Sequence, residues 1–157
     1  MTGQHYIDGK DMYSTFGVVV LSGSDDFLKF PARKASISHD WGDKNGIDVD
    51  LSKPFVEAKN VTLQCAMIAA DKATFWVNHA AFFAELMKPG TRRLEVAAFE
   101  KSFYVYYRDC SSFDRFSKMN NGKIVCRFTL SVTEQEPDFS GGDGVYWVDD
   151  EGQFVIL

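Results

Sequence analysis

Cysteine is scarce, basic charge is outweighed by acidic, and long apolar runs are missing. The three cysteines, Cys65, Cys110 and Cys126, are odd in number and widely spaced. That excludes a disulfide framework and the paired spacing of a zinc site. Cys65 and Cys126 fall on apolar registers of predicted strands and read as small buried hydrophobes. Seventeen Lys and Arg stand against 22 Asp and Glu, a formal net charge of -5. A chain that grips a phosphate backbone does so with clustered cations, so charge-driven nucleic-acid binding is excluded, though DNA passing nearby without sticking is not. No apolar run approaches the roughly 20 residues that span a bilayer. The start, MTGQHYIDGK, lacks a charged-then-apolar signal pattern. These absences predict a protein made and kept in a reducing cytoplasm, with no membrane partner.

Recognisable chemistry is also missing. The histidines are His5, His39 and His79. His39 is followed by Asp40, with Asp43, Asp48 and Asp50 nearby, but DKNGIDVDLS lacks the ligand order and closing Glu of a calcium loop, so these acids read as solvated loop residues. His79 sits among Phe75 and Phe83 at helical spacing and reads as a core-edge side chain. There is no G-x-S-x-G, and no cysteine lies next to a plausible base. Gly141, Gly142 and Gly144 have neither the strand-to-helix context nor the Lys-Ser or Lys-Thr of a phosphate loop. No catalytic residue, cofactor or metal is expected.

What is present is a core. The chain has 157 residues, 45% of them hydrophobic and 15% aromatic, with 14 Phe; this suits one globular domain whose aromatic surplus needs burial, internally or against a partner. The stretch DKATFWVNHAAFFAELMKPG, Asp71 to Gly90, predicts a helix over about residues 72–88. Phe75, His79, Phe82 and Leu86 form one row, and Trp76, Ala80, Phe83 and Met87 a second. The rows merge into a wide apolar face, leaving Lys72, Asn78, Glu85 and Lys88 outside. Asp71 or Thr74 caps the start.

Strands surround it. Met12–Leu21 reads as a strand with Gly17 as a bulge, and Phe27, Leu28 and Phe30 as a short second strand. Ile37–Trp41 follows. Gly42–Glu57 reads as a long loop with a short strand at Ile47–Val49, the kind of loop that is often functional. Glu57–Ala69 alternates, with Val61, Leu63, Cys65 and Met67 on one face. Arg93–Ala98 and Ser102–Cys110 form a hairpin whose second strand is aromatic on both faces, and such a strand is usually covered on both sides. Ser111–Gly122 is a polar turn region. In Lys123–Glu134, Ile124, Cys126, Phe128, Leu130 and Val132 face inward. The glycine-rich linker FSGGDG leads to a last hairpin, Val145–Leu157. The fold class is therefore α+β, mostly β: an antiparallel β-sandwich or split barrel with one flanking α-helix. Residues 1–137 form the domain, and 138–157 a linker plus a hairpin that docks on it or on a neighbouring subunit.

The order of these elements carries a resemblance. A turn at Asn45-Gly46 leads through Leu51-Ser52-Lys53-Pro54-Phe55 to the strand EAKNVTLQCAM. Then come the helix FWVNHAAFFAELMKPG, the segments RRLEV and SFYVYYRDC, and the strand KIVCRFTLSVTEQEP ending at Glu136-Pro137. From Tyr13 to Pro137 this resembles the N-terminal domain of phage distal tail proteins and, more broadly, the tail-tube superfamily. The resemblance implies a non-enzymatic tail subunit and a β-sandwich or split barrel assembled as a hexameric ring around a channel. It implies contacts with other tail proteins, DNA that passes without being specifically bound, and residence in the virion tail after assembly in the bacterial cytoplasm. The chain departs from the pattern twice. No larger C-terminal domain follows Pro137, and a terminal hairpin is added, so a tube or completion component is an alternative position.

A ring subunit needs two different complementary surfaces. The expected interface residues are Asn45, Ile47, Val49 and Phe55 in the long loop and Tyr146, Trp147, Phe154 and Ile156 in the terminal hairpin. The rival reading is a monomeric β-sandwich binding module for carbohydrate or peptide, using Tyr104, Tyr106 and Trp147 as an aromatic platform.

Overall fold

The main sheet is antiparallel, open and seven-stranded. The computed structural model describes residues 2–52, 55–116 and 122–137, and the backbones of 146–148 and 154–156. In chain order the elements are β1 (His5–Ile7), β2 (Lys10–Asp11), α1 (Met12–Phe16), β3 (Val18–Ser22), a 3-10 turn at Ser24–Leu28, β4 (Ser38–His39) and β5 (Asp48–Val49). Then come β6 (Lys59–Ala69), α2 (Lys72–Leu86), β7 (Arg92–Val96), a 3-10 turn at Ala97–Phe99, β8 (Lys101–Arg115), β9 (Ile124–Glu134), β10 (Tyr146–Val148) and β11 (Phe154–Ile156). The sheet order is β2-β1-β7-β8-β9-β6-β3. The expected fold class holds: mostly β, antiparallel, with one main helix and no closed barrel. The chain divides into two compact units, Met1–Lys29 with Asn60–Gln135, and Phe30–Lys59 with Glu136–Leu157.

In the first unit the alternating strands place their apolar set as the pattern required. Val61, Leu63, Cys65 and Met67 of β6 and Ile124, Cys126, Phe128, Leu130 and Val132 of β9 are all buried. On the other face Asn60 Oδ1 accepts from Thr133 Oγ1 at 2.8 Å and Gln64 Oε1 from Thr129 Oγ1 at 3.1 Å. The partner numbers fall along one strand as they rise along the other, so β6 and β9 run antiparallel. The long hairpin also forms, and β8 continues five residues past Cys110 to Arg115, where sequence reasoning placed a turn. Two bulges, between Tyr107 and Asp109 and between Cys110 and Ser112, break its register with β9. Each extra residue restores the alternation, so Tyr107, Cys110 and Phe113 all pack against the core.

Three local readings are corrected. Met12–Leu21 is not one strand. Asp11 accepts from Tyr13 N and Ser14 N, at 2.9 and 3.0 Å, and so caps α1; Gly17, at φ 69°, ends it, and the strand begins only at Val18 and runs to Ser22. Phe27 and Leu28 lie in a 3-10 turn, with Phe27 buried and stacked on Phe103 at 4.3 Å. In α2 only the row of Phe75, Phe82 and Leu86 is buried, against Phe16, Phe113 and Phe128. Trp76 and Met87 of the second row are exposed, and Glu85, expected outside, is buried. A cylinder on a flat sheet buries a limited stripe: of the second row, Phe83 is half-buried, its ring centre 6.1 Å from those of Tyr107 and Phe128, while the rest of that row stays outside.

Candidate interaction surface

The second unit contains the segment expected to be a long loop. Most of it is loop, with the expected short strand at Asp48–Val49; pairing with Ser38–His39 and a few bonds nearer the base make residues 32–57 a narrow two-stranded ribbon. Arg33 bridges Val56, Lys34 N donates to Phe55 O (2.9 Å), and Glu57 N to Ala32 O (2.7 Å). Further out, Asp50 N donates to Ile37 O (2.8 Å), Ser38 pairs with Val49 and His39 with Asp48. The end is closed by Lys44 N donating to Trp41 O at 3.1 Å, and Gly46 supplies the left-handed residue after Asn45, at φ 75°.

The ribbon is unusually apolar for its exposure. Ile47 is 58% exposed, Leu51 63%, Phe55 59% and Val49 36%. Ile47, Val49 and Leu51 alternate with Asp48 and Asp50, so an apolar row and an acidic row share one limb. The other limb adds exposed Ile37 and Trp41, the latter edge-on to His39 with ring centres 4.0 Å apart. A two-stranded ribbon is at best marginally stable in water, and each large apolar side chain left exposed forgoes about 1.5–3 kcal/mol of burial. Both facts favour a cover from outside the ribbon.

The acids on this arm are held locally. Asp48 is ion-paired with Lys44 Nζ at 3.1 Å. Asp50 accepts from the Ser52 hydroxyl at 2.6 Å and the Ser52 N–H at 3.0 Å, bonds that lower its pKa. Among the described residues, no three His, Cys, Asp or Glu side chains gather as a metal set. His79 lies 4.9–5.9 Å, ring centre to ring centre, from Phe75, Trp76, Phe83 and Phe113; burial lowers its pKa and favours the neutral ring, as a core-edge residue requires. Burial pushes the Cys65 thiol up to about 12, which leaves it unreactive.

Of the residues expected at an interface, Asn45, Ile47, Val49 and Phe55 therefore lie on one arm and are exposed. Ile37, Trp41 and Leu51 join them without having been singled out; the same period-two spacing could have found them. In the terminal hairpin Tyr146 pairs with Ile156, Trp147 with Val155 and Val148 with Phe154. The side chains of Tyr146, Trp147, Phe154 and Ile156 lie outside the described residues. Tyr104 and Tyr106 project from the same face of β8, 60% and 39% exposed, so the cover expected on both sides of that strand is missing on one.

No family model matches the chain, and no curated protein does. Among solved structures, the chain is similar to the crystal structure of the SPP1 Dit (gp 19.1) protein, described as a paradigm of hub adsorption apparatus in Gram-positive infecting phages. The TM-score is 0.60 at 10% identity, over 85% of this chain and 50% of that one. The chain thus spans about half the length of that protein, and what the two share is the fold.

Proposed function

We propose that the protein is a non-enzymatic structural subunit of a phage tail or tail-like assembly, which self-associates into a ring, hexameric as the resemblance implies. The observation that carries this reading is the exposed apolar arm at residues 32–57. The shared fold with a tail hub protein supports the tail assignment. A heterologous contact closes a ring when one surface of each subunit meets a different surface of the next, and the arm is one such surface. The terminal hairpin is the second candidate. Neighbouring tail proteins are the further partners, and DNA passes through the channel unheld, as a net charge of -5 permits. The place of action is the virion tail, after assembly in the bacterial cytoplasm.

Light scattering over a wide concentration range, with negative-stain images of the same sample, tests the reading. Rings or stacked tubes are the expected outcome. A monomer at every concentration, alone and with the neighbouring tail proteins, overturns it. The exposed Tyr104 and Tyr106 favour a second reading, a binding module for carbohydrate or peptide. It predicts a stable monomer whose ligand binding is lost in Tyr104→Ala.

A further inference from the structure

The long helix carries an apolar side that the fold leaves uncovered. Trp76 is 54% exposed, Val77 67% and Met87 66%. Ala80, Ala81 and Ala84 lie between them, also exposed, so the surface is low along its middle. At 1.5 Å per residue it is about 17 Å long from Trp76 to Met87. A shallow hollow bounded by Lys72, Ala73 and Trp76, with the capping Asp71, opens at its start. Between Lys72 and Lys88 the only charged residue is Glu85, and it is turned inward. The exposed strip therefore has a lysine at each end and no exposed acid between them; Lys88 Nζ is held by Glu85 at 2.6 Å and Asp71 is engaged as the cap, accepting from Thr74 N at 2.7 Å, so Lys72 is the cation the strip presents.

The tip of the arm has the opposite character. From Asp40 to Asp50 it carries Asp40, Asp43, Asp48 and Asp50 against one cation, Lys44. Its apolar row of Ile47, Val49 and Leu51 spans roughly 13 Å at strand spacing, short enough to lie along the helix strip. We infer that the uncovered side of α2 is the socket for the arm of a second copy: the Ile47–Val49–Leu51 row lies over the low alanine stretch, and the arm's acidic tip faces Lys72. This rests on the ring reading and gives the arm a specific partner surface. Two copies of the helix strip facing each other would instead offer Lys72 no exposed acid along the strip, and so lack the charge complement that the arm's tip supplies.

Cross-linking tests the pairing. Chains carrying Val49→Cys and chains carrying Val77→Cys, both in a Cys110→Ser background because Cys65 and Cys126 are buried, are mixed and treated with a short bis-maleimide. The expected product joins one chain of each kind, while Val77→Cys chains alone stay unlinked. Linking of Val77→Cys to itself overturns the inference in favour of paired helices. Assemblies by light scattering without the mixed product overturn the socket and leave the ring reading standing. A chain that never assembles overturns both. A second measurement reads the charge: Val77→Glu weakens self-association at least about tenfold more than Val77→Lys. Equal loss in the two variants overturns an acidic occupant.

Discussion

Glu85 accepts from Lys10 Nζ at 3.1 Å, a contact spanning 75 residues of sequence, and from Lys88 Nζ at 2.6 Å. Beside this pair, Asp8 accepts from Arg92 Nη1 at 2.9 Å and Arg93 N at 3.0 Å, and Arg92 Nη2 donates to Pro89 O at 2.7 Å. The β1–β2 turn is thereby tied to the end of α2 and the start of β7. A carboxylate in the buried row of an apolar helix is tolerable because two ammonium groups reach it.

That pairing predicts a pH dependence. Burial pushes the Glu85 pKa up, but Lys88 and Lys10 outweigh it and bring it from 4.5 down to about 2. A folded pKa below the unfolded one means stability that is fully present above about 4.5 and lost as pH falls toward 2. Glu85→Gln should cost about 1–3 kcal/mol at pH 7, since both lysines are half-exposed and retain water. Urea melts of the two proteins should differ by a constant amount above pH 5 and converge toward pH 2. A constant difference down to pH 2 would show that the charge is not what Glu85 contributes.

Gly17 and Gly46 make a matched pair of tests. Both sit at positive φ, 69° and 75°. A Cβ on Gly17 would overlap the Ile68 carbonyl oxygen, whereas one on Gly46 meets nothing within 4 Å. Gly46→Ala costs only the left-handed conformation, about 1 kcal/mol. Gly17→Ala adds a backbone displacement where Ile68 N donates to Gly17 O at 2.8 Å, so a loss of about 2–3 kcal/mol is expected. At roughly 2–4 °C per kcal/mol, calorimetry resolves the two. Equal melting points would refute the close approach.

Period and burial were readable from sequence where one face of a strand meets the core. The inward sets of β6 and β9 were named residue by residue because alternation has a single solution. The helix was placed within two residues at its end, but its buried side was not. Trp76 and Phe75 are adjacent, equally apolar and both on plausible rows, and only the width of the covering sheet decides between them. The α1 turn is missed because MYSTF reads as strand by composition, Asp11 precedes that stretch, and Gly17, read as a bulge, is instead the residue that ends the helix. The arm was half legible. Asn45-Gly46 and the Ile47, Val49 pair marked its returning limb, but pairing with Ile37–His39 is a non-local fact. The Glu85–Lys88 spacing of three is visible in the sequence, but the burial of Glu85 is not, since it depends on packing and on Lys10, 75 residues away.

Phe82 and Trp76 should separate core from surface on one helix. Phe82 is fully buried and meets Phe16 and Phe128 edge-on, with ring centres 5.6 and 6.0 Å apart. Phe82→Ala should destabilise the chain by about 3–5 kcal/mol. Trp76→Ala, although it removes the larger ring, should change unfolding free energy by less than about 1 kcal/mol. Chemical denaturation of both variants at concentrations where the chain is monomeric checks the contrast. A Trp76→Ala loss matching that of Phe82→Ala would mean that a segment of the same chain covers the helix.

The arm and the terminal hairpin predict different losses of assembly. Ile47→Asp with Leu51→Asp removes two exposed apolar side chains from the arm, and neither is part of a buried core. The far-ultraviolet spectrum and melting point should hold. If both side chains are buried on association, at about 1.5–3 kcal/mol each, self-association should weaken roughly 10²–10⁴-fold. Deleting residues 139–157 tests the hairpin separately. Assembly that survives the deletion but not the arm substitutions assigns the contact to the arm alone. The reverse pattern moves it to the hairpin. If association survives both changes, neither surface joins the subunits, and the exposed Tyr104 and Tyr106 become the surface to probe.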